Sequence, residues 1–431
     1  MSVTTENGKV CTILGLILCI IGPQSIYALE GGHAQEHVHG THLECELPKS
    51  SMDIVDCAMK LHPSIKRAQV KHESIENLEI KALQRPNPTL STRFVRGDSD
   101  GQEISELEAN FNFTVELGNK RGARKEVALA RRYNVEAQKD SVKARVKLLT
   151  ILNMHRLRQV LREKTLLDES VKAINNVLTR LKNLPRLTAE QEASLTLFEL
   201  AMEESKVHGA ELFELEKSLE HFFHVATGHA LNEITSFLPD TPSKWPTINT
   251  AQQVSDSPQI RELKSLAQIA NREYKLENSK AFPDIKIGPS YAREENGERK
   301  NEMFGFNIQL PIPIFQRNEG GRAFAKSEEL RAKRNITLAK SEMKHERFER
   351  RRVYENAVKN LKSTMSVEQL EAKHKKIEKL YHRGVVSSSI YLDSFKQRLS
   401  YLKRRNQREM TALNSLWEVH LYDGKIFKEK L

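Results

Sequence analysis

The chain has 431 residues, of which 39% are hydrophobic and 29% charged, and 68 Lys and Arg against 57 Asp and Glu give it a net charge of +11. Glycine and proline together make up about 8% of the residues, against a usual share of about 12%. This shortage of helix breakers favours long helices with solvated faces. The composition excludes a collagen, a disulfide-rich scaffold and an α-helical membrane protein.

Residues 1–28 are predicted to be a secretory signal peptide. Lys9 precedes an apolar run at 10–21, and the small residue Ala28 follows it at a position suited to cleavage. The run is too short to span a bilayer comfortably. An uncleaved N-terminal anchor is the alternative. Lipidation at Cys19 is disfavoured, because the residues before it lack the small side chain of a lipoprotein signal.

The mature chain is predicted to begin with a histidine-containing segment, residues 29–48. Neutral imidazoles at such spacing can bind Zn²⁺ or Cu²⁺, and a solvated tail is the alternative. The four histidines concerned are His33, His37, His39 and His42. Cys45 and Cys57 are the two cysteines left after processing, and in an oxidising compartment a disulfide between them is favoured over two separate thiols. We predict no cofactor.

The rest of the chain is interpreted as a duplication. Phe111-Asn112 recurs as Phe306-Asn307 and Pro88 recurs as Pro283, both 195 positions later. Such a long period indicates two copies of a whole structural unit rather than a solenoid. The first copy is predicted at 49–237 and the second at 257–428. The Pro/Ser/Thr-rich linker between them is predicted at 238–256.

Each copy is predicted to contain, in order, a helix, two strands, a long helix and a further helix. The strands are expected at about 88–117 and about 283–315. From Leu107 to Leu117 apolar and polar residues alternate over about eleven positions, which is the length of a transmembrane strand. The second copy repeats this alternation from Phe304 to Ile314. A four-stranded sheet on a soluble core is the alternative interpretation.

The helices of each copy are predicted to form a hairpin, at about 120–228 and about 319–424. Apolar residues at heptad spacing predict two continuous coiled-coil rods, from about 123 to 181 and from about 322 to 381. The chain is expected to reverse near Pro185, which can begin a returning helix, and near Gly384, which suits a left-handed helix end.

Four strands are too few to close a sheet on themselves. Open strand edges in lipid cost several kcal/mol for each unpaired backbone group. Rotational symmetry removes these edges, since three chains contribute twelve strands. We therefore predict a mainly α protein with a transmembrane β-barrel contribution, in which a homotrimer forms a 12-stranded barrel that continues into a periplasmic α-helical barrel.

Four features resemble the TolC-like outer-membrane efflux proteins. They are the duplication and the segments Glu116–Arg121 with Arg124, Leu310–Gly320 and Tyr381–Ser387. The chain departs from the usual family pattern at Gly118-Asn119, where two glycines are usual, and at Leu184-Pro185, where glycine is expected. Among the subfamilies, the cobalt–zinc–cadmium exporters are the most similar.

The resemblance implies an outer-membrane location in a Gram-negative bacterium and contacts with a periplasmic adaptor and an inner-membrane RND-type pump. It also implies that the helical turns are the tips that meet the adaptor and close the resting tunnel. The residues of the two turns are Asn183, Leu184, Pro185, Arg186, Arg383, Gly384, Val385, Val386 and Ser387. Simple reversal of the chain is the alternative role.

A second candidate site lies where strands turn into helices. Its residues are Gly118, Lys120, Arg121, Arg124, Arg317 and Arg322. Positive charge at a helix N-terminus opposes the helix dipole, so another interaction is expected there. Lipid headgroup phosphates at the inner rim of the barrel would supply it, and ordinary solvated charge is the alternative.

No arrangement of catalytic residues is recognisable, so we predict that the chain is not an enzyme. The basic stretch Lys344–Lys359 is interleaved with acidic residues and is interpreted as a solvated helix face rather than a nucleic-acid site. The expected function is a passive exit duct for substrates delivered by the pump, with heavy-metal cations as candidate cargo. The alternatives are a duct for type I protein secretion and a periplasmic coiled-coil scaffold without a pore.

Overall fold

The computed structural model describes residues 45–99, 101–249, 256–297 and 299–429. The predicted signal peptide and the four N-terminal histidines lie outside these residues. Cys45 and Cys57 are joined by a disulfide with a Cα–Cα distance of 5.8 Å.

In each copy a helical part precedes the two strands, and a helix of at least 45 residues follows them directly. The first copy comprises α1 (Ser51–Leu61), α2 (Pro63–Ser74), α3 (Glu76–Leu83), β1 (Thr89–Ser99), β2 (Gln102–Val115), α4 (Lys120–Lys182), α5 (Ala189–Thr227) and the short α6 (Leu231–Ile234). The second comprises α7 (Pro258–Ser279), β3 (Ile285–Asn296), β4 (Arg299–Gln309), α8 (Glu319–Ser363), α9 (Val367–His382) and α10 (Ser388–Tyr422). The prediction of a mostly helical chain with a small sheet is confirmed.

The four strands form one antiparallel sheet in the order β1-β2-β3-β4. Each copy contributes one hairpin, and the hairpins join through β2 and β3, with Phe113 opposite Ile287. Within the described residues, the outer edges of β1 and β4 have no paired strand.

The fourth strand ends earlier than the alternation predicts. The pattern extends to Ile314, but β4 ends at Gln309. Pro311 and Pro313 interrupt the segment that follows, and proline has no N–H to donate to a sheet. Periodicity alone therefore overestimates this strand.

The prediction that the second rod is one continuous helix is also wrong. α8 ends at Ser363, and α9 begins at Val367 after a break of three residues. Thr364 has an extended backbone. Ser366 then caps α9, because its hydroxyl accepts from the N–H of Gln369 while the Gln369 side chain accepts from the N–H of Ser366.

The main apolar core lies where α1, α4, α5 and the end of α10 meet. Its most buried members include Ile54, Ile151, Met154, Leu157 and Phe223. α10 also packs along α8, where Arg347 is buried and forms an ion pair with Asp423 at 2.5 Å. The stretch 344–359 is therefore not wholly solvated, contrary to the prediction, because one of its arginines supports this packing.

Residues 245–249 of the predicted linker lie against the second copy. The rings of Trp245 and Tyr354 are 6.1 Å apart, and the Tyr354 hydroxyl donates to the carbonyl of Pro246 at 2.6 Å. None of the helices in the described part of the chain is both long enough and apolar enough to cross a bilayer.

Candidate functional surfaces

One face of the sheet is apolar across all four strands. The strand register aligns Leu90 with Phe111, Phe113 with Ile287, and Tyr291 with Phe304. The apolar face consists of Leu90, Phe94, Leu107, Ala109, Phe111, Phe113, Val115, Ile285, Ile287, Pro289, Tyr291, Phe304, Phe306 and Ile308. Phe304 and Phe306 are each 83% exposed, so none of the described residues covers this face at β4.

Along β2 the apolar face runs from Leu107 to Val115, which is about 26 Å of strand at about 3.3 Å per residue. A strand tilted by about 45° needs about 9–11 residues to cross a bilayer, so the apolar face has the length of a transmembrane strand. Toward the hairpin turns it gives way to ion pairs, Arg96 with Glu103 and Arg293 with Glu295.

The opposite face of the sheet is mainly polar. It presents Ser91, Arg93, Glu106, Glu108, Asn110, Asn112, Thr114, Lys286, Ser290, Glu294, Asn307 and Gln309. The side-chain amide of Asn307 donates to that of Asn112 at 3.4 Å, although β2 and β4 are not neighbours. Gly288 makes this approach possible, since a Cβ there would lie 1.8 Å from the Phe111 carbonyl oxygen. The sheet thus separates an apolar surface from a polar one.

An apolar segment follows β4. Ile312 and Ile314 are about three-quarters exposed, and Phe315 is 99% exposed. The corresponding connection in the first copy, from Glu116 to Asn119, is shorter. The exposed apolar surface therefore continues from the sheet toward the start of α8.

Both strand-to-helix junctions have the same local conformation, with an asparagine just before the helix. Asn119 and Asn318 precede α4 and α8 with φ of 57°, in the left-handed region. Each asparagine side chain folds over the first helical turn, where a Cβ on Gly122 would lie 2.4 Å from the Asn119 amide oxygen and one on Gly321 would lie 2.3 Å from that of Asn318. An Asn-x-x-Gly sequence is thus common to both junctions.

Gly118 is also required by its surroundings. Its φ is +69°, and a Cβ there would lie 2.6 Å from the Ser279 carbonyl oxygen. Among the predicted rim residues it therefore has a conformational role.

Two of the predicted rim cations form ion pairs with carboxylates of the same chain. Lys120 pairs with Asp284 at 2.6 Å. Arg124 forms a two-point ion pair with Glu116 and donates to the carbonyls of Ala82 and Gln84, each at 3.2 Å. The hydrogen bond from Arg124 lowers the pKa of the Glu116 carboxyl. Sequence reasoning did not identify Asp284, because its partner is far away along the chain.

The other three rim arginines are less satisfied. The Nε atoms of Arg121 and Arg322 are buried and have no hydrogen-bond partner among the described residues. Arg322 approaches Glu319 only at 4.0 Å. The backbone N–H of Arg317 donates to Glu319 at 2.8 Å. These arginines are the ones that could still bind an external anion.

The two predicted helical turns differ in construction. In the first, α5 begins at Ala189 rather than at Pro185, because Thr188 and Gln191 form a capping box. In the second, Gly384 has φ of +72°, and the N–H groups of Gly384 and Val385 donate to Tyr381 and Leu380. Val385 is 67% exposed at this turn.

The structure brings both turns to the same end of the helices. One buried cluster contains side chains of α4, α5 and α10, with side chains of α9 against it. Its members are Ile174, Val177, Leu178, Leu181, Phe198, Ala201, Tyr391, Leu392 and Phe395. Arg398, which the sequence did not single out, connects α10 to α4 through Glu169 at 3.1 Å and to α9 through Glu371.

His374 is buried behind the second turn. Its ring lies 4.5 Å from that of Phe395, and its Nδ1 is 3.1 Å from the Ser394 hydroxyl. Burial, assisted by the charge of Arg398, lowers the pKa of His374 below its ordinary value. Across the residues that the structure describes, no cluster of His, Cys, Asp and Glu has the arrangement of a metal site.

Comparison with solved structures identifies the class of fold. No protein-family model and no curated protein matches the sequence. CusC is 12% identical over 88% of this chain and 93% of its own, with a TM-score of 0.65. The MtrE outer-membrane channel of Neisseria gonorrhoeae is 14% identical over 87% and 88%, also with a TM-score of 0.65. The CmeC outer-membrane channel of Campylobacter jejuni is 14% identical over 93% and 94%, with a TM-score of 0.62. The chain therefore has the fold of these outer-membrane channels along nearly its whole described length.

Proposed function

We propose that the chain is one subunit of a trimeric outer-membrane channel, the passive exit duct of a tripartite efflux system in a Gram-negative bacterium. The observation that carries this proposal is the exposed sheet, whose apolar face extends about 26 Å along β2 and whose two edge strands pair with no other strand of the described residues. A tilted strand of this length is long enough to cross the hydrocarbon core of a bilayer. The similarity to solved outer-membrane channels supports the same conclusion.

Closure of the sheet would follow from three-fold symmetry. Joining β4 of one chain to β1 of the next satisfies the backbone groups of both edges, and three chains give a ring of twelve strands. The apolar face would contact lipid and the polar face would line the lumen. Arg121, Arg317 and Arg322 follow the strands β2 and β4 in the chain, so they would lie near the inner end of the apolar band, where lipid phosphates would bind them.

The helices would continue the duct into the periplasm. Both helical turns lie at the end that α4 and α10 carry away from the sheet, so they are available to an adaptor protein. The partners proposed from the family resemblance are this adaptor and an inner-membrane RND-type pump, which would supply the energy. We propose no nucleic-acid partner and no cofactor.

Heavy-metal cations are the proposed cargo, on the resemblance to the cobalt–zinc–cadmium exporters alone. Growth of a deletion strain across a panel of metals and antibiotics tests this part separately. Sensitivity to divalent heavy metals is expected, and sensitivity to antibiotics alone would contradict the cargo but leave the channel intact.

Two neighbouring substitutions test membrane insertion. Phe304 lies on the apolar face and Met303 on the opposite face, and both are exposed apolar residues of β4. Phe304→Lys would place a charge in lipid and cost about 2 kcal/mol for each chain. Met303→Lys would place the same charge in the lumen, so it should insert normally.

The measurement is the amount of channel in the outer-membrane fraction, together with single-channel conductance in planar bilayers. Wild type and Met303→Lys should both conduct, whereas Phe304→Lys should be depleted from the membrane. Equal behaviour of the two variants, or absence of conductance from the wild type, would contradict the proposal.

A further inference from the structure

The helices beyond the sheet form a layer with two edges. α5 packs on α4, where Lys164 pairs with Glu216 at 2.6 Å. α4 packs on α10, where the Asn406 amide donates to Glu163 at 2.6 Å. α10 packs in turn on α8 and α9. The outer surfaces of α5 and of α8–α9 are therefore the opposite edges of this layer.

The two edges lie at the same height. Across the layer, Glu204 pairs with Lys396 at 2.9 Å and Glu211 approaches Lys403 at 3.8 Å. The same stretch of α10 contacts the other edge, since Ser394 lies 3.1 Å from His374. Farther along, Arg405 donates to the Leu361 carbonyl at 3.2 Å. Residues 197–217 of α5 thus lie level with residues 359–379.

The α5 edge is acidic and partly apolar. Residues 197–217 of α5 contain six glutamates and only two lysines. Leu200 and Val207 are 62% and 65% exposed, and Phe213 is 54% exposed. Glu214 forms no ion pair with any described residue, and Glu203 pairs only with Lys206 one turn away. We refer to the exposed face of residues 197–217 as the acidic edge.

The opposite edge is basic. Six lysines in residues 359–379 are exposed, and within the described part of the chain none of them pairs with a carboxylate. They are Lys359, Lys362, Lys373, Lys375, Lys376 and Lys379. Of the three carboxylates in this stretch, Glu371 is already bound by Arg398. We refer to the exposed face of residues 359–379 as the basic edge.

We infer that the acidic edge of one chain docks against the basic edge of a second copy. The edges face away from each other within one chain, so they can meet only between chains. A contact between two different surfaces is heterologous, and it closes into a ring when the rotation permits. Opposite charges would select this pairing over acidic-to-acidic or basic-to-basic contacts, while Leu200, Val207 and Phe213 would lose their exposure to water.

This inference rests on the proposed trimer, and it adds which surfaces assemble it. Because residues 197–217 lie level with residues 359–379, Glu214 of one chain would approach Lys362 of the next chain, and Glu203 would approach Lys373. The orientation of neighbouring chains in the ring is then fixed by charge, before any cargo or partner binds.

Charge reversal with mutual rescue tests the pairing. Lys362→Glu with Lys373→Glu reverses the basic edge, and Glu203→Lys with Glu214→Lys reverses the acidic edge. Each pair alone should lower the trimeric fraction of the detergent-extracted full chain at least about tenfold. The chain with all four substitutions should recover it, because the reversed edges are complementary again. Lys362→Arg with Lys373→Arg is the matched control and should assemble normally.

The outcomes separate this inference from the proposed function. A wild-type protein that remains a single chain would overturn both. If the wild type and both reversed variants all form rings, only the edge pairing is overturned. The same holds if the variant with all four substitutions does not recover the trimer although its helix content is normal. If the reversed variants assemble but no longer bind the adaptor, the acidic and basic edges are binding surfaces for the adaptor, and the inference is likewise overturned.

Discussion

The long helices of the two copies differ at one point. α4 runs unbroken for 63 residues, whereas α8 ends after 45 residues and three residues separate it from α9. Counted from the first residue of each long helix, Thr364 and Met365 correspond to Thr165 and Leu166. Leu166 is buried on a continuous helix, but Thr364 has an extended backbone. The capping residues at the start of α9 therefore divide the long helix of the second copy, whereas the corresponding helix α4 of the first copy is continuous.

The break in the second copy is held closed from α10. Arg405 donates to the Leu361 and Met365 carbonyls at 3.2 and 3.1 Å and to the Thr364 hydroxyl at 3.0 Å. The Tyr401 hydroxyl donates to the Met365 carbonyl at 2.8 Å. Carbonyls that an unbroken helix would satisfy internally are thus satisfied by side chains. α9 and the start of α10 form the second helical turn as a separately capped unit.

Proline substitution gives the largest expected difference between the copies. Thr165 is exposed in the interior of α4, so Thr165→Pro should remove a backbone hydrogen bond and cost about 3 kcal/mol. Met365→Pro should cost less than about 1 kcal/mol, because Thr364 already has the extended backbone that proline imposes on the residue before it. Denaturant unfolding of the two variants in detergent measures the difference. Equal losses of stability would show that α8 and α9 behave as one continuous helix.

Removal of the side chain that closes the break should have a smaller effect. Arg405→Ala loses three hydrogen bonds and should lower the free energy of unfolding by about 1–2 kcal/mol. Arg404 is its exposed neighbour and makes no ion pair with any described residue, so Arg404→Ala should change stability by less than about 0.5 kcal/mol. Hydrogen exchange of the peptide spanning 360–370 should accelerate only in Arg405→Ala. Unchanged exchange in that variant would mean that α10 does not hold the break.

The smallest expected difference concerns acid. His374 lies in α9 and faces Arg398, Glu378, Glu371 and Glu169, and its pKa is lowered by burial. The opened state therefore binds a proton more readily than the packed state. Stability of the α9 packing should fall as the pH drops below the ordinary histidine value of about 6.5.

Hydrogen exchange as a function of pH checks this direction. Opening of α9, corrected for the intrinsic effect of pH on exchange, should increase on acidification in the wild type and less so in His374→Phe, which keeps an aromatic ring in the cluster. The last turns of α4 serve as the internal control. An identical pH response in wild type and variant would remove His374 from the explanation.

The sequence predicts the repeated elements well, because each is encoded over short distances. The alternation from Leu107 and the reappearance of Phe111-Asn112 as Phe306-Asn307 identify the strands and the duplication. The break at 364–366 is missed because the heptad spacing continues through Val367, Leu370 and His374, so the seam hides the capping box. The end of β4 is missed because the apolar alternation continues through Pro311 and Pro313 in spite of their missing N–H groups.

Site residues are predicted less completely, because their partners are distant in the sequence. Lys120 and Asp284 are 164 positions apart, and Arg398 and Glu169 are 229 apart. A single sequence carries no signal for such pairs. It does predict the left-handed helix end at Gly384, whose φ is +72°. Gly118 also has a positive φ, which the sequence alone does not indicate. The roles of the two turns and of Arg121, Arg317 and Arg322 stay predictions.

Electron cryo-microscopy of the full chain extracted from the outer membrane tests the central claim most directly. We expect three chains that share one closed ring of twelve strands, with Phe304 and Phe306 facing the detergent and the polar face of the sheet toward the lumen. A particle with a single chain, or a four-stranded sheet whose apolar face is covered by a soluble partner, would contradict it.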